Sequence, residues 1–226
     1  MAGSPGPDVL DVGCGTGIAA RQFQAVGCRV LGVDPDARMV DLARRSGVEA
    51  EVAAFETWAS AGREFDAVIA GQAWHWVDPI AGAAQAARIL RSDGRLAAFW
   101  NAFQLPTEVG EAISAVYRRI VPDSPLYQRW MPRLDSYSRL VTKAADGIRG
   151  VAAFGEPERW RFDWDRLYTR AEWLDQVPTF GGHSQFPHTK LREILAGIGA
   201  AIDTVGGSFT MRYTTVVVTA VRIGTR

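Results

Sequence analysis

Cysteine is scarce in this 226-residue chain. Cys14 and Cys28 are the only two, too few for a disulfide framework and too isolated for a zinc cluster, as suits a reducing compartment. Histidine is almost as rare, with three residues, and no His/Asp/Glu cluster has ligand spacing, so no metal is expected. Net charge is missing too, since 25 Lys and Arg balance 25 Asp and Glu. That removes the positive field which sequence-independent binding of DNA or RNA requires. No apolar run approaches the roughly 20 residues that span a bilayer. The start, Met1-Ala2-Gly3-Ser4-Pro5, lacks the basic and apolar regions of a signal peptide. The expectation is a cytoplasmic chain without membrane or nucleic-acid partners, either monomer or homodimer.

With 47% hydrophobic residues, the chain can bury one substantial core and a small cap besides. The balanced charge is unevenly spread. Residues 1–100 hold nine basic and twelve acidic side chains, which leaves sixteen and thirteen to residues 101–226. Arg118, Arg119, Arg129, Arg133, Arg139, Lys143 and Arg149 face only Asp123, Asp135 and Asp146. Such a run reads as a solvated helical surface or as a segment that draws an acidic substrate.

Short apolar runs alternate with amphipathic stretches through the first hundred residues, the rhythm of βαβ units around a parallel sheet. Strands are expected at Val9–Val12, Arg29–Val33, Val48–Ala53, Phe65–Ala70 and Arg95–Trp100. Helices are expected at Ala19–Ala25, Asp36–Arg45 and Ile80–Leu90, the last closed by Ser92-Asp93-Gly94. Beyond Asn101 the pattern loosens into a helix at Glu108–Ile120 and helical segments within 126–150. A strand at Glu158–Trp164, helices at Thr169–Gln176 and Thr189–Ile202, and a β-branched terminal strand at Phe209–Val221 follow. The fold class is α/β, a Rossmann-like doubly wound sheet, mostly parallel with an antiparallel C-terminal strand, plus a small helical cap insertion. Residues 1–226 read as a single domain: 1–101 the cofactor-binding half, about 102–155 the cap, and 156–226 the completion of the sheet.

Asp11-Val12-Gly13-Cys14-Gly15-Thr16-Gly17 lies between a strand and a helix, where glycines permit a tight turn and close approach of a ligand. Asp34 ends the next strand, where a carboxylate can accept bonds from both ribose hydroxyls. A dinucleotide loop is spaced G-x-G-x-x-G. Here the spacing is G-x-G-x-G with an acid two residues ahead, which suits a cationic ligand without phosphate.

The stretch Val9-Leu10-Asp11-Val12-Gly13-Cys14-Gly15-Thr16-Gly17 resembles motif I of the class I S-adenosylmethionine-dependent methyltransferases, and Leu31-Gly32-Val33-Asp34 resembles their second motif. Ala54-Phe55-Glu56-Thr57-Trp58 and Phe65 through Asp78 are similar to segments of the small-molecule, trans-aconitate methyltransferase-like (type 11) group. The resemblance covers about residues 8–100. It implies S-adenosyl-L-methionine as cofactor and S-adenosyl-L-homocysteine as product. It also implies that Asp11, Gly13, Cys14, Gly15 and Gly17 serve the methionine end and Asp34 the ribose. Ala54, Phe55, Pro35 and Met39 would then border the adenine, with Gln72 completing the cofactor set. Relatives carry helical residues ahead of the first strand that close over the cofactor, and here Asp8 follows a short start, which leaves an absent lid or a truncated beginning as readings.

Methyl transfer mainly requires an acceptor held at near-attack distance with water excluded. A hydroxyl acceptor gains from a base, whereas a carboxylate is ionised already. His75, after strand four, is the candidate base, or else a residue that orients its turn. Trp74, Trp76 and Trp100 are candidate walls of an acceptor pocket. Arg129 and Arg133 could recognise an acceptor carboxylate, and His183, beside Gly181-Gly182, is a further candidate. The expected activity is methyl transfer to a carboxylate or hydroxyl oxygen of a small metabolite. A non-catalytic or truncated S-adenosylmethionine-binding protein is the alternative. A nucleic-acid methyltransferase fits less well, because Gly71-Gln72-Ala73-Trp74 lacks the Asp/Asn-Pro-Pro-aromatic turn typical of those enzymes.

Overall fold

The computed structural model describes residues 6–124 and 135–224. Seven strands form one mixed sheet in the order β3-β2-β1-β4-β5-β7-β6. They are β1 (Asp8–Val12), β2 (Arg29–Asp34), β3 (Glu49–Val52), β4 (Phe65–Gly71), β5 (Leu90–Gln104), β6 (Glu158–Thr169) and β7 (Ser208–Val221). β1 pairs in parallel with β2 and β4, β2 with β3 and β4 with β5, while the C-terminal strands run antiparallel. The helices are α1 (Ile18–Ala25), α2 (Ala37–Arg45), α3 (Pro79–Ile89), α4 (Thr107–Ile120), α5 (Asp135–Arg149), α6 (Arg170–Gln176) and α7 (His188–Asp203). Among the described residues, no helix is long and apolar enough to cross a membrane.

Local chemistry accounts for several boundaries. Asp36 caps α2 by accepting from the Arg38 amide. Asp78 caps α3 by accepting from Ile80 and Ala81, and Pro79 takes the first helical position, where no amide hydrogen is needed. Thr169 and Glu172 close a reciprocal capping box on α6. The β4–β5 ladder runs from Phe65 opposite Leu90 to Ala67 opposite Arg95. Strand five therefore begins at Leu90, earlier than its apolar run suggests, and Arg91–Gly94 bulges out with Asp93 at φ +64°.

The chain divides into two compact units. The first comprises Met1–Asn101, Tyr137–Arg161 and Thr215–Arg226. It buries Leu10, Val12, Leu31 and Val33 in one apolar cluster and Val9, Val30, Val40 and Ile69 in another. Alternation along β1 and β2 thus covers both faces of the sheet, as parallel strands require. α5 falls in the stretch expected as an insertion, yet Val141, Ala144, Ala145 and Ile148 are buried in the first of these clusters. Its apolar stripe is long enough to need a large core, and the helix side of the sheet provides one.

The second unit comprises Ala102–Ser136 and Phe162–Thr214 and has its own core. Ile113 and Tyr117 of α4 are buried with Ile194 and Ile198 of α7, together with Trp173, Phe209 and Met211. A Cβ at Gly197 would lie 2.7 Å from Val116 Cγ1, so α4 and α7 approach closely only because position 197 carries no side chain. Trp173, wholly buried, meets Tyr168 and Phe209 edge-on at ring-centroid distances of 5.1 and 5.3 Å.

Candidate cofactor and acceptor site

Strand order reverses at β1, since β1 leads to β2 on one side and β4 lies on the other. Ligands of open α/β sheets bind at this point, outside the carboxyl ends of the strands. Gly13, Gly15 and Gly17 all have positive φ (+66°, +53° and +80°), a region closed to most residues. A Cβ on Gly13 would lie 2.4 Å from the Ala73 Cβ, so the loop is held against the end of β4. A Cβ on Gly15 would meet nothing within 4 Å, so backbone is open to a ligand there. The Gly13 and Cys14 amides donate to the Val33 carbonyl at 2.7 and 3.2 Å and fasten the loop to β2.

Asp34 joins this arrangement in a way the spacing does not reveal. One carboxylate oxygen accepts from the Gly15 amide at 2.9 Å and the other from the Asp36 amide at 2.9 Å. The side chain therefore spans the glycine loop and the start of α2.

Asp11 is only 1% exposed, and its Oδ2 has no hydrogen-bond partner among the described residues. Burial pushes its carboxyl up to about 7, the Ala20 amide in the first turn of α1 pulls it down, and the nearby Asp34 charge raises it further. A buried carboxylate with an unmet oxygen is costly unless something cationic neutralises it. Such a carboxylate suits a neighbour that carries positive charge, such as a sulfonium or an α-ammonium. Cys14 is buried, and its thiol is pushed up to about 12 by burial and by the Asp11 and Asp34 charges. It stays protonated and acts as packing, with its Sγ filling the space that a Cβ on Gly32 would enter.

The other expected cofactor residues divide by exposure. Pro35 and Ala54 are exposed, Met39 is half-buried and Phe55 is buried. Phe55 packs on Trp74 at 6.3 Å, so its ring belongs to the core. Gln72 is exposed at the carboxyl end of β4 with φ +59°, a strained value for a residue with a Cβ and of the kind that recurs at functional sites. Its amide donates to the Phe99 carbonyl at 2.9 Å.

The aromatic residues separate similarly. Trp74 and Trp100 are buried in the core, while Trp76 is 83% exposed. The Trp100 indole N–H donates to His75 Nδ1 at 3.3 Å, and the Trp76 ring lies 5.0 Å from the His75 ring. His75 is half-buried, and burial lowers its pKa, which favours the neutral ring. With Nδ1 accepting, the neutral ring carries its proton on Nε2.

His183 sits in the second unit and is fully buried. Its Nε2 lies 2.6 Å from the Tyr117 hydroxyl and its Nδ1 2.9 Å from the Phe180 carbonyl, so both nitrogens serve the core. Arg129 and Arg133 lie outside the described residues.

Sequence reasoning passed over Glu56. Its carboxylate accepts from the Asp78 amide at 2.9 Å and ties the turn at Phe55–Thr57 to the one at Trp74–Trp76, next to β4. Only its place in an otherwise apolar segment could have drawn attention to it.

A mixed sheet whose parallel part carries a glycine loop at its switch point and a carboxylate at the end of β2 defines a Rossmann-like fold. The methyltransferase-domain family model matches residues 10–98, from β1 into β5. An uncharacterized methyltransferase of Mycobacterium tuberculosis is 39% identical over 95 residues, which cover 41% of this chain and 39% of that protein. The match thus spans about two fifths of that relative's length. The malonyl-acyl-carrier-protein O-methyltransferase of Enterobacter lignolyticus is 33% identical over 151 residues, 64% of this chain and 55% of that one. A structure assigned as a type II methyltransferase from Anaeromyxobacter dehalogenans superposes with a TM-score of 0.65 at 24% identity, covering 99% of this chain and 93% of that one. Residues 10–98 are thus similar to the methyltransferase-domain family, and the chain shares the fold of the superposed structure.

Proposed function

We propose that this protein binds S-adenosyl-L-methionine, releases S-adenosyl-L-homocysteine and methylates an oxygen of a small metabolite, a carboxylate in preference to a hydroxyl. The observation that carries the cofactor assignment is the buried Asp11 oxygen without a partner, beside a loop whose Gly15 leaves backbone open. Asp11 would neutralise the cationic methionine end, and Asp34 would hold the ribose from its position across the loop and the α2 start. When bound, the cofactor supplies a methyl carbon activated by its sulfonium.

His75 supports the choice of acceptor. Its Nδ1 lone pair receives the Trp100 indole N–H, so the neutral ring offers a donor on Nε2 rather than a base. A donor can hold a carboxylate oxygen, and a carboxylate needs no deprotonation near neutral pH. The O-methyltransferase names among the relatives agree with an oxygen acceptor. We read residues 1–226 as one methyltransferase domain in the cytoplasm, with both cysteines free.

The test is methyl transfer from labelled S-adenosylmethionine to panels of small carboxylic acids and phenols. Carboxylic acids should be methylated, with activity that does not rise through the imidazole range. His75→Gln, which keeps a donor, should retain more turnover than His75→Ala, with the latter losing about tenfold (about 1.4 kcal/mol). Preference for phenols together with an inactive His75→Gln would make His75 a base and overturn the acceptor assignment. Cofactor binding without turnover on either panel would leave a non-catalytic binding protein.

A further inference from the structure

β6 is the outermost strand of the described sheet, and from Glu158 through Leu167 every residue is exposed. Trp160, Phe162 and Trp164 alternate along one face. They are 39%, 56% and 39% exposed, an unusual load of aromatic surface on an edge that proteins normally protect. Trp164 is already ordered, stacked on Tyr213 of β7 at 4.2 Å.

The order of charges on this strand is self-complementary. Glu158-Arg159-Trp160-Arg161-Phe162-Asp163-Trp164-Asp165-Arg166 inverts its signs about Phe162. We propose that β6 pairs antiparallel with β6 of a second copy of this chain about a two-fold axis at Phe162, joining the two seven-stranded sheets edge to edge. Residues directly opposite in an antiparallel pair share a face. In this register Glu158 meets the partner's Arg166, Arg159 the partner's Asp165 and Arg161 the partner's Asp163. Trp160 meets the partner's Trp164, and Phe162 meets its own copy. Each of these pairs occurs twice, except that of Phe162, which lies on the axis and occurs once.

Other symmetric registers are disfavoured. A perpendicular two-fold keeps side chains on their own face, so registers shift the axis one residue at a time. Centring it on Arg161 places that guanidinium against its copy, and centring it on Asp163 does the same to two carboxylates. Moving it to Trp160 or Trp164 opposes Arg159 with Arg161 or Asp163 with Asp165. Only the Phe162 centre leaves every charge from 158 to 166 opposite its counter-charge, which favours this register over its neighbours. The interface is isologous and closed, so it ends at a dimer.

The pair Arg159 and Asp165 tests this, because both are exposed and stand directly opposite in the dimer. Sedimentation equilibrium from about 1 to about 100 μM should show a reversible wild-type dimer. Arg159→Asp alone opposes two pairs of carboxylates and Asp165→Arg alone two pairs of guanidiniums. Each should weaken dimerisation about tenfold or more while the circular dichroism spectrum is kept. An equimolar mixture of the two variants restores opposite charges at both pairs and should form a heterodimer of wild-type affinity. A wild type that stays monomeric, single variants that dimerise as the wild type does, or a mixture that remains monomeric would each overturn the proposal.

Discussion

One buried polar side chain in each unit shows opposite treatment. In the first, Asp11 is buried with a carboxylate oxygen left unmet beside a loop held in left-handed backbone conformations. In the second, His183 is buried with both ring nitrogens engaged, by Tyr117 and by Phe180. An unmet buried charge raises the free energy of the folded chain unless a ligand offsets it, whereas a satisfied polar group anchors a core. Burial alone would have ranked the two residues together, and partner geometry separates a candidate ligand-binding residue from one whose nitrogens are both engaged in the core.

The strongest way to break this contrast is His183→Ala. Loss of the imidazole opens a cavity beside Phe180 and Phe186 and removes a partner of Tyr117. It should cost about 3 kcal/mol, read as a shift of the urea midpoint, while cofactor affinity of the folded protein stays unchanged. Loss of turnover at unaltered stability would move His183 from the core to the acceptor. Asp34→Ala comes next. It deletes acceptors for the Gly15 and Asp36 amides and, in the proposed site, for the ribose, and calorimetric titration should show S-adenosylmethionine affinity falling by about 2 kcal/mol, near thirtyfold. Undiminished affinity would remove Asp34 from the cofactor site.

The smallest effect is the most diagnostic. A carboxyl raised to about 7 in the folded state keeps a proton that the unfolded chain has lost above about pH 4. Its contribution to stability is therefore complete below that value and declines as pH rises toward about 7. Between pH 6 and 7 the decline should be about 1 kcal/mol, and Asp11→Asn should abolish it in urea unfolding at each pH. Binding of a cation runs the other way, with affinity increasing up to about pH 7 as Asp11 ionises. Equal pH slopes in the wild type and Asp11→Asn would show that Asp11 is not the group responsible.

Much of the first unit was legible because its signals are local. Apolar runs of strand length, amphipathic helical stretches and glycines in the first turn each act within a few residues. The assignments that structure altered depend on neighbours distant in sequence. Phe55, Trp74 and Trp100 have the side chains of an aromatic pocket, and whether they face ligand or core is set by packing across the sheet. The start of β5 was misplaced because the Phe65–Leu90 pairing precedes the bulge, and a register shift leaves no mark in hydrophobic periodicity. α5 carries a helical apolar stripe, but no property of the stripe specifies which core receives it.

By itself the sequence determined the glycine turn, the order of parallel strands and the positions of Asp11 and Asp34, since backbone conformation and chain order follow from residues close together. Tertiary structure alone decided that Asp34 spans the loop and α2, that Asp11 is left with an unmet oxygen, and that Trp100 fixes the His75 proton on Nε2. Those properties are set by distances and dielectric surroundings, and both arise only when segments far apart in the chain are packed together.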